Sequence, residues 1–224
     1  MSQNIRWIAL LGVDGSGKST VLRELQSSLS GLPYRGIKVF HRRPGVAYRT
    51  IQNPAVPVPH YGKPAYGTLA SSLKLFVMVL DWHFGYWTKI RRQIREGYLV
   101  IADRHSLLDL LSDPLRYRYG GPHWLVQAAI RLVPMPDLIL LLDAPLEVLL
   151  SRKREIPAEK LAELREAYLR LSNQMSGFSV IDASQPLEEV VASVKERLQP
   201  QALTSNGKVS ANLISSLGKV NHEK

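Results

Sequence analysis

Two periods of apolar residues alternate along this chain. Trp7 to Leu11 is a short, unbroken apolar run that ends at a glycine, the pattern of a strand buried on both faces. From Ser19 to Leu29 the apolar residues Val21, Leu22, Leu25 and Leu29 recur at helical spacing. Ile37 to Phe40, Tyr98 to Ala102, Leu138 to Leu142 and Phe178 to Ile181 predict four more strands. Between them the spacing predicts one long helix over Thr68 to Glu96, stopped by Gly97, and another over Trp124 to Leu132, broken by Pro134 and Pro136. Helices follow over Glu147 to Lys153, Ala158 to Met175 and Leu187 to Leu198. In the second of these, Leu161, Leu164, Tyr168 and Leu171 form one stripe. Five strands joined by helical crossovers predict an α/β protein: three layers, with a parallel sheet covered on both faces.

The chain has 224 residues, which suits one domain, expected over 1–200. Its 45% hydrophobic content excludes wholesale disorder. Pro54, Pro57, Pro59 and Pro64 argue against regular structure between Pro44 and Tyr66. From Gln201 to Lys224 the chain is rich in Ser, Asn, Gly and Lys and reads as a flexible tail. There are no cysteines, so disulfide scaffolds, thiolate zinc sites and cysteine nucleophiles are excluded. Twenty-nine Lys and Arg against 19 Asp and Glu give a formal charge of +10, which favours anionic partners. The beginning of the chain lacks the long apolar region of a secretion signal. The longest apolar runs, such as Leu75 to Leu80, are far short of the roughly 18–20 residues that span a bilayer. A cytoplasmic protein is expected.

Gly12-Val13-Asp14-Gly15-Ser16-Gly17-Lys18-Ser19 fits G-x-x-x-x-G-K-[ST]. Its glycines let successive backbone N–H groups converge on phosphate oxygens, Lys18 adds a point charge at the β- and γ-phosphates, and Ser19 offers a hydroxyl to Mg²⁺. The loop follows an apolar strand and opens a helix whose positive end faces the same anion, as the chemistry requires. No N-K-x-D guanine motif is present. Asp103 and Arg104 follow the third strand, where a carboxylate can hold Mg²⁺ and an arginine can grip a phosphate; an N-cap with a structural arginine is the plainer alternative. Arg152, Lys153 and Arg154 could place charge on a transferring phosphoryl group, or form a solvated helix end. Arg42-Arg43-Pro44-Gly45 is a further candidate anion site.

Taken in order, these motifs resemble the thymidylate kinase family. Gly12 to Thr20 is similar to its phosphate loop, including the internal acidic residue; Asp103-Arg104-His105 resembles its D-R-[YH] motif, and Arg42-Arg43-Pro44-Gly45 its R-E-P-G motif with Arg43 in place of Glu. Ile181 to Gln185 resembles its adenine loop, and Arg152 to Tyr168 its lid and following helix. The resemblance implies an adenylate-kinase-like fold with sheet order 2-3-1-4-5, ATP and Mg²⁺, and γ-phosphoryl transfer to a nucleoside monophosphate, with thymidylate the leading acceptor. It implies that Gly12, Asp14, Gly15, Ser16, Gly17, Lys18, Ser19, Thr20 and Ala183 bind the donor, and that Ser19 and Asp103 hold the metal. Lys18, Asp103, Arg152 and Arg154 would serve catalysis, the last two from a lid near 152–157. Asp14, Arg42 and Arg104 would hold the acceptor. The family's base-contacting arginine falls at Trp82, which could supply an indole N–H to the base or be one of the core aromatics of a long helix. A small-molecule phosphate acceptor is the expected partner and nucleic acid is not; a homodimer is the assembly considered. The alternatives are a kinase of another small acceptor, such as a sugar or an envelope-polysaccharide precursor, and a non-catalytic nucleotide- or nucleic-acid-binding protein on a kinase scaffold.

Overall fold

The computed structural model of the protein describes residues 5–28, 31–45, 63–154 and 156–199. The expected tail, most of the proline-rich loop and Glu155 of the expected lid lie outside these. Five parallel strands, β1 (Trp7–Leu11), β2 (Gly36–His41), β3 (Tyr98–Asp103), β4 (Leu138–Asp143) and β5 (Phe178–Asp182), lie in the order β2-β3-β1-β4-β5. All five of β1's residues and the middle four of β3 and of β4 are buried, because helices cover both faces of the sheet. Register aligns the strand ends: His41 of β2 pairs with Asp103 of β3, and Asp143 of β4 with Asp182 of β5. One edge of the sheet thus presents three carboxylates and a histidine, with the loop after β1 between them.

Eight α-helices flank the sheet among the described residues: α1 (Lys18–Ser27), α2 (Thr68–Gly85), α3 (Arg91–Arg95), α4 (Ser106–Ser112), α5 (His123–Leu132), α6 (Leu146–Arg152), α7 (Ala158–Gln174) and α8 (Leu187–Leu198). The stripe expected on α7 is the buried one: Leu161, Leu164, Tyr168 and Leu171. The single helix expected over Thr68 to Glu96 is interrupted by a π-helical turn, Tyr86–Ile90, between α2 and α3. Its buried residues explain the interruption. Trp82 and Ile90 are fully enclosed, and Tyr86 and Ile94 pack against the same core, so the buried positions recur every four residues. A stride of four overruns the 3.6-residue α-turn by about 40° each time. The wider i→i+5 turn takes up that drift and keeps the stripe facing inward. Helix α4 and a 3₁₀ turn, Pro114–Tyr117, are additions to the expected pattern.

Candidate active site

The loop after β1 is shaped by close packing. Gly12 has φ 145°, and a Cβ there would come within 2.6 Å of Ser16 Oγ and the Leu142 carbonyl. Gly15 has φ 86°, and a Cβ would meet the Leu149 carbonyl of α6 at 2.7 Å. Only glycine fits either place. Gly17, also left-handed, is the N-cap of α1. Lys18 folds back over the loop: its Nζ donates to the Gly12 carbonyl (2.9 Å), the Val13 carbonyl (2.8 Å) and Ser16 Oγ (3.1 Å). Burial, seconded by the Arg104 guanidinium, pushes its pKa well below that of an ordinary lysine. A polyphosphate in the loop would supply the opposing charge. The Ser19 and Thr20 side chains are exposed at the start of α1.

Asp14 sits at the mouth of this loop between two guanidiniums. Arg104 Nη2 donates to its Oδ1 at 2.7 Å, and Arg116 Nη2 to its Oδ2 at 3.1 Å. Burial works to raise the carboxyl pKa, but Arg104, Arg116 and Lys18 outweigh it and the net shift is downward. Arg104 is itself buried, also donates to the Gly12 carbonyl at 3.2 Å, and holds a left-handed backbone with φ 70°. Behind it, fully buried Asp109 accepts hydrogen bonds from the Tyr168 (2.7 Å) and Tyr117 (3.2 Å) hydroxyls. Arg116 is positioned by Asp113, which accepts from both its backbone N–H and its Nε at 3.2 Å. Sequence reasoning missed Arg116. The local signal is Asp113-Pro114, a capped turn start, but the contact to Asp14 spans 102 residues and no local pattern encodes it.

At the ends of β2 and β3, Asp103 Oδ2 lies 2.9 Å from His41 Nδ1. Burial would raise the Asp103 pKa, but the hydrogen bond and charge of His41, with help from Lys18 and Arg104, bring it below the usual range. Arg42 follows with φ 61°, its N–H on the Asp103 carbonyl at 2.9 Å and its buried Nε without a hydrogen-bond partner. On the far side, Arg152 Nη1 donates to the Ala183 carbonyl at 2.8 Å, linking α6 to the loop after β5. Arg154 is exposed, with its Nε on the Leu150 carbonyl at 3.2 Å. Arg165 makes a two-pronged ion pair with Asp143, both bonds 2.7 Å.

Trp82 does not join this group, contrary to the expectation of a base contact. It is fully buried, stacks on the His105 ring at 4.0 Å between centroids, and donates its N–H to Ser106 Oγ at 3.0 Å. The physical reason is the inward stripe of α2, which makes Trp82 the aromatic centre of the helix–sheet interface. The same burial holds His105 neutral, its pKa pushed down to about 3.

The residues present fit a nucleotide phosphate with a divalent cation. The glycine cradle admits no side chain, Arg42 carries an unpartnered buried N–H, and Ser19 and Asp103 offer oxygen donors. Among the described residues no group of three or more His, Cys, Asp or Glu is gathered to chelate a metal alone. A parallel sheet in this order, with the glycine loop after its central strand and basic side chains around that loop, defines the class: a P-loop phosphotransferase acting on nucleotides. Residues 67–194 match the thymidylate kinase family model, and the chain belongs to that family. It is 30% identical over 205 residues to a probable thymidylate kinase of Pyrobaculum aerophilum, covering 86% of this chain and 96% of that one. It is 27% identical over 228 residues to the thymidylate kinase of Xanthomonas euvesicatoria, covering 93% of each. The solved thymidylate kinase of Candida albicans superposes with a TM-score of 0.57 over 88% of this chain and 92% of its own, at 17% identity, which speaks for the fold.

Proposed function

We propose that this protein transfers the γ-phosphoryl group of ATP to the phosphate of a nucleoside monophosphate, with thymidylate the acceptor. The observation that supports the reading is Asp14: a loop carboxylate beside the phosphate-loop lysine, gripped by the two guanidiniums of Arg104 and Arg116. Lys18 would release the loop carbonyls and turn to the donor phosphates. Arg42 and Arg104 would hold the acceptor phosphate, whose oxygen attacks the γ-phosphorus as the bond to the β-phosphate oxygen breaks. Asp14 would meet the acceptor sugar. Arg152, and Arg154 from the segment near 152–157, would bring charge to the transferring oxygens as that segment closes. Mg²⁺, held by Ser19 and Asp103, would offset the charge of the phosphates. Release of ADP, followed by a coupled assay across nucleoside monophosphates and sugar acceptors, tests the reading; no turnover with any nucleoside monophosphate overturns it.

The placement of Trp82 bears on base selectivity. Its N–H is already donated within the core, so no donor reaches the base from the position where the family carries an arginine. One absent hydrogen bond of about 1.5 kcal/mol is worth roughly a tenfold change. The expected kcat/KM for thymidylate is therefore within about 10-fold of that for at least one other nucleoside monophosphate. A preference above 100-fold in the same assay refutes this.

We also infer a homodimer through the outer face of α2. Leu69, Leu73, Phe76, Val77, Leu80 and Phe84 form an exposed apolar stripe. The two charged side chains of that helix turn elsewhere: Lys74 to the Tyr117 carbonyl and Asp81 inward against Gly45. An uncharged stripe of this length carries no repulsion against its own copy, which is what a twofold contact needs.

A further inference from the structure

The arginine that would take the acceptor phosphate sits on a short loop, and α2 and the π-turn hold that loop from beneath. We propose that Lys89 is a positioning residue for Arg42, acting through the backbone of Pro44 and Gly45. This rests on the reading of Arg42 as an acceptor-phosphate ligand.

Three side-chain positions one stride apart meet the loop. Asp81 lies against Gly45 so closely that a Cβ there would overlap its carboxylate, and it lies 3.8 Å from Arg43 Nη1. Gly85 comes next; a Cβ on it would fall 2.6 Å from Pro44 Cγ and 2.7 Å from the Gly45 nitrogen. Lys89 completes the row, its Nζ donating to the Pro44 carbonyl at 2.7 Å and reaching the Gly45 carbonyl at 3.4 Å. Residues 81, 85 and 89 would only just share a face of an uninterrupted α-helix. Two strides of four would turn Lys89 about 80° away from Asp81. The π-turn over Tyr86–Ile90 brings it back under the loop.

The loop needs such a hold. Arg42 has φ 61°, a conformation that a non-glycine residue keeps only where its surroundings enforce it. From the sheet side it is tied by its own N–H to the Asp103 carbonyl and by the Ser106 N–H to its carbonyl. From the other side the carbonyls of Pro44 and Gly45 have the Lys89 ammonium. A cation shared by two carbonyls, one close and one at the limit of a hydrogen bond, holds the loop and leaves the Arg42 guanidinium to meet an anion. Lys89 bonds the Pro44 and Gly45 carbonyls of this loop and not the glycine loop after β1, so its effect should fall on the acceptor alone.

The test is steady-state kinetics on the full chain with ATP and thymidylate varied independently. Lys89→Met keeps the length of the side chain and removes the donor. The expected result is a 5- to 20-fold rise in KM for the acceptor, with KM for ATP and kcat within twofold of wild type. Lys89→Arg, which keeps a donor, should recover most of the loss. Gly45→Ala, which forces the loop off Asp81, should raise the same KM, and the double variant should show less than the product of the two effects. Equal changes in both KM values, or full additivity, overturns the proposal in favour of a merely structural role; unchanged kinetics overturns it outright. Arg42→Ala separates the two ideas. If it leaves acceptor KM unchanged, the reading of Arg42 fails; if it raises that KM while Lys89→Met does not, the positioning role alone fails.

Discussion

Arg42 and Arg104, the two arginines assigned to the acceptor phosphate, both hold left-handed backbone, with φ 61° and 70°. For a residue with a Cβ this costs roughly 1 kcal/mol or more, and such strain gathers where function demands a side chain at an awkward place. Stability and function therefore pull apart at residue 104. Arg104→Ala and Arg104→Gly both remove the guanidinium that bonds Asp14 and the Gly12 carbonyl. Each should weaken acceptor binding by about 2–3 kcal/mol, some 30- to 150-fold, while ATP affinity falls less. The glycine variant, relieved of its Cβ, should be more stable than the alanine variant by about 1 kcal/mol. Ligand titrations and thermal melts of the pair check both halves. Equal stability would mean that the backbone there carries no strain.

At the scale of elements, the outer stripe of α2 makes the sharpest claim. Phe76 is 58% exposed at its centre. Phe76→Lys should convert a dimer to a monomer in light scattering at micromolar concentration without lowering the melting temperature of the monomer's own core. A wild-type monomer under those conditions rules the contact out. How far the elements could be read from the sequence depended on contrast. The five strands are short, mostly apolar runs ended by glycine or a charged residue, and each was legible to within a residue or two. Helix α4 was not, because Leu107, Leu108, Asp109 and Leu110 are all buried and no polar face marks its period. The π-turn leaves no mark in composition; only the four-residue stride of Trp82, Tyr86, Ile90 and Ile94 betrays it. In the site, the glycine loop and Asp103-Arg104 were legible because backbone geometry confines that chemistry to a few adjacent residues. The Arg116–Asp14 and His41–Asp103 contacts were not, because each joins residues from separate crossovers.

Across the whole molecule, one sheet edge carries most of the candidate site. His41, Asp103, Asp143 and Asp182 end their strands in register, and each of the three carboxylates is already engaged: by His41, by Arg165, and by Ser184 with Gln185. Arg152 spans two of the connections above this edge through the Ala183 carbonyl. A donor nucleotide seated there would bridge α6, the glycine loop and the loop after β5. Backbone amide exchange from 152 to 157 should slow on adding a non-hydrolysable ATP analogue. Exchange that is unchanged in saturating ligand would mean that this segment does not close. No helix among the described residues is long and apolar enough to cross a membrane.

The wide turn at Tyr86–Ile90 has a consequence for chain length. A π-turn holds one residue more than an α-helix would over the same rise, so it is an insertion folded into a bulge. The helices on either side keep the faces they would have without it: Met78 and Trp82 before the turn and Ile90 after it are all buried. Thr88 is exposed, and its hydroxyl bonds only the Phe84 carbonyl one turn back. Deleting it should let the segment close into a continuous α-helix, with the chain shortened by one residue and the core undisturbed. The deletion variant should fold with a melting temperature within a few degrees of wild type, a tolerance rarely met inside a helix packed on a sheet. A variant that fails to fold would mean that the extra residue cannot be lost. On this view relatives are free to differ by one residue between Gly85 and Gly97, and a gap belongs at the bulge when their sequences are aligned.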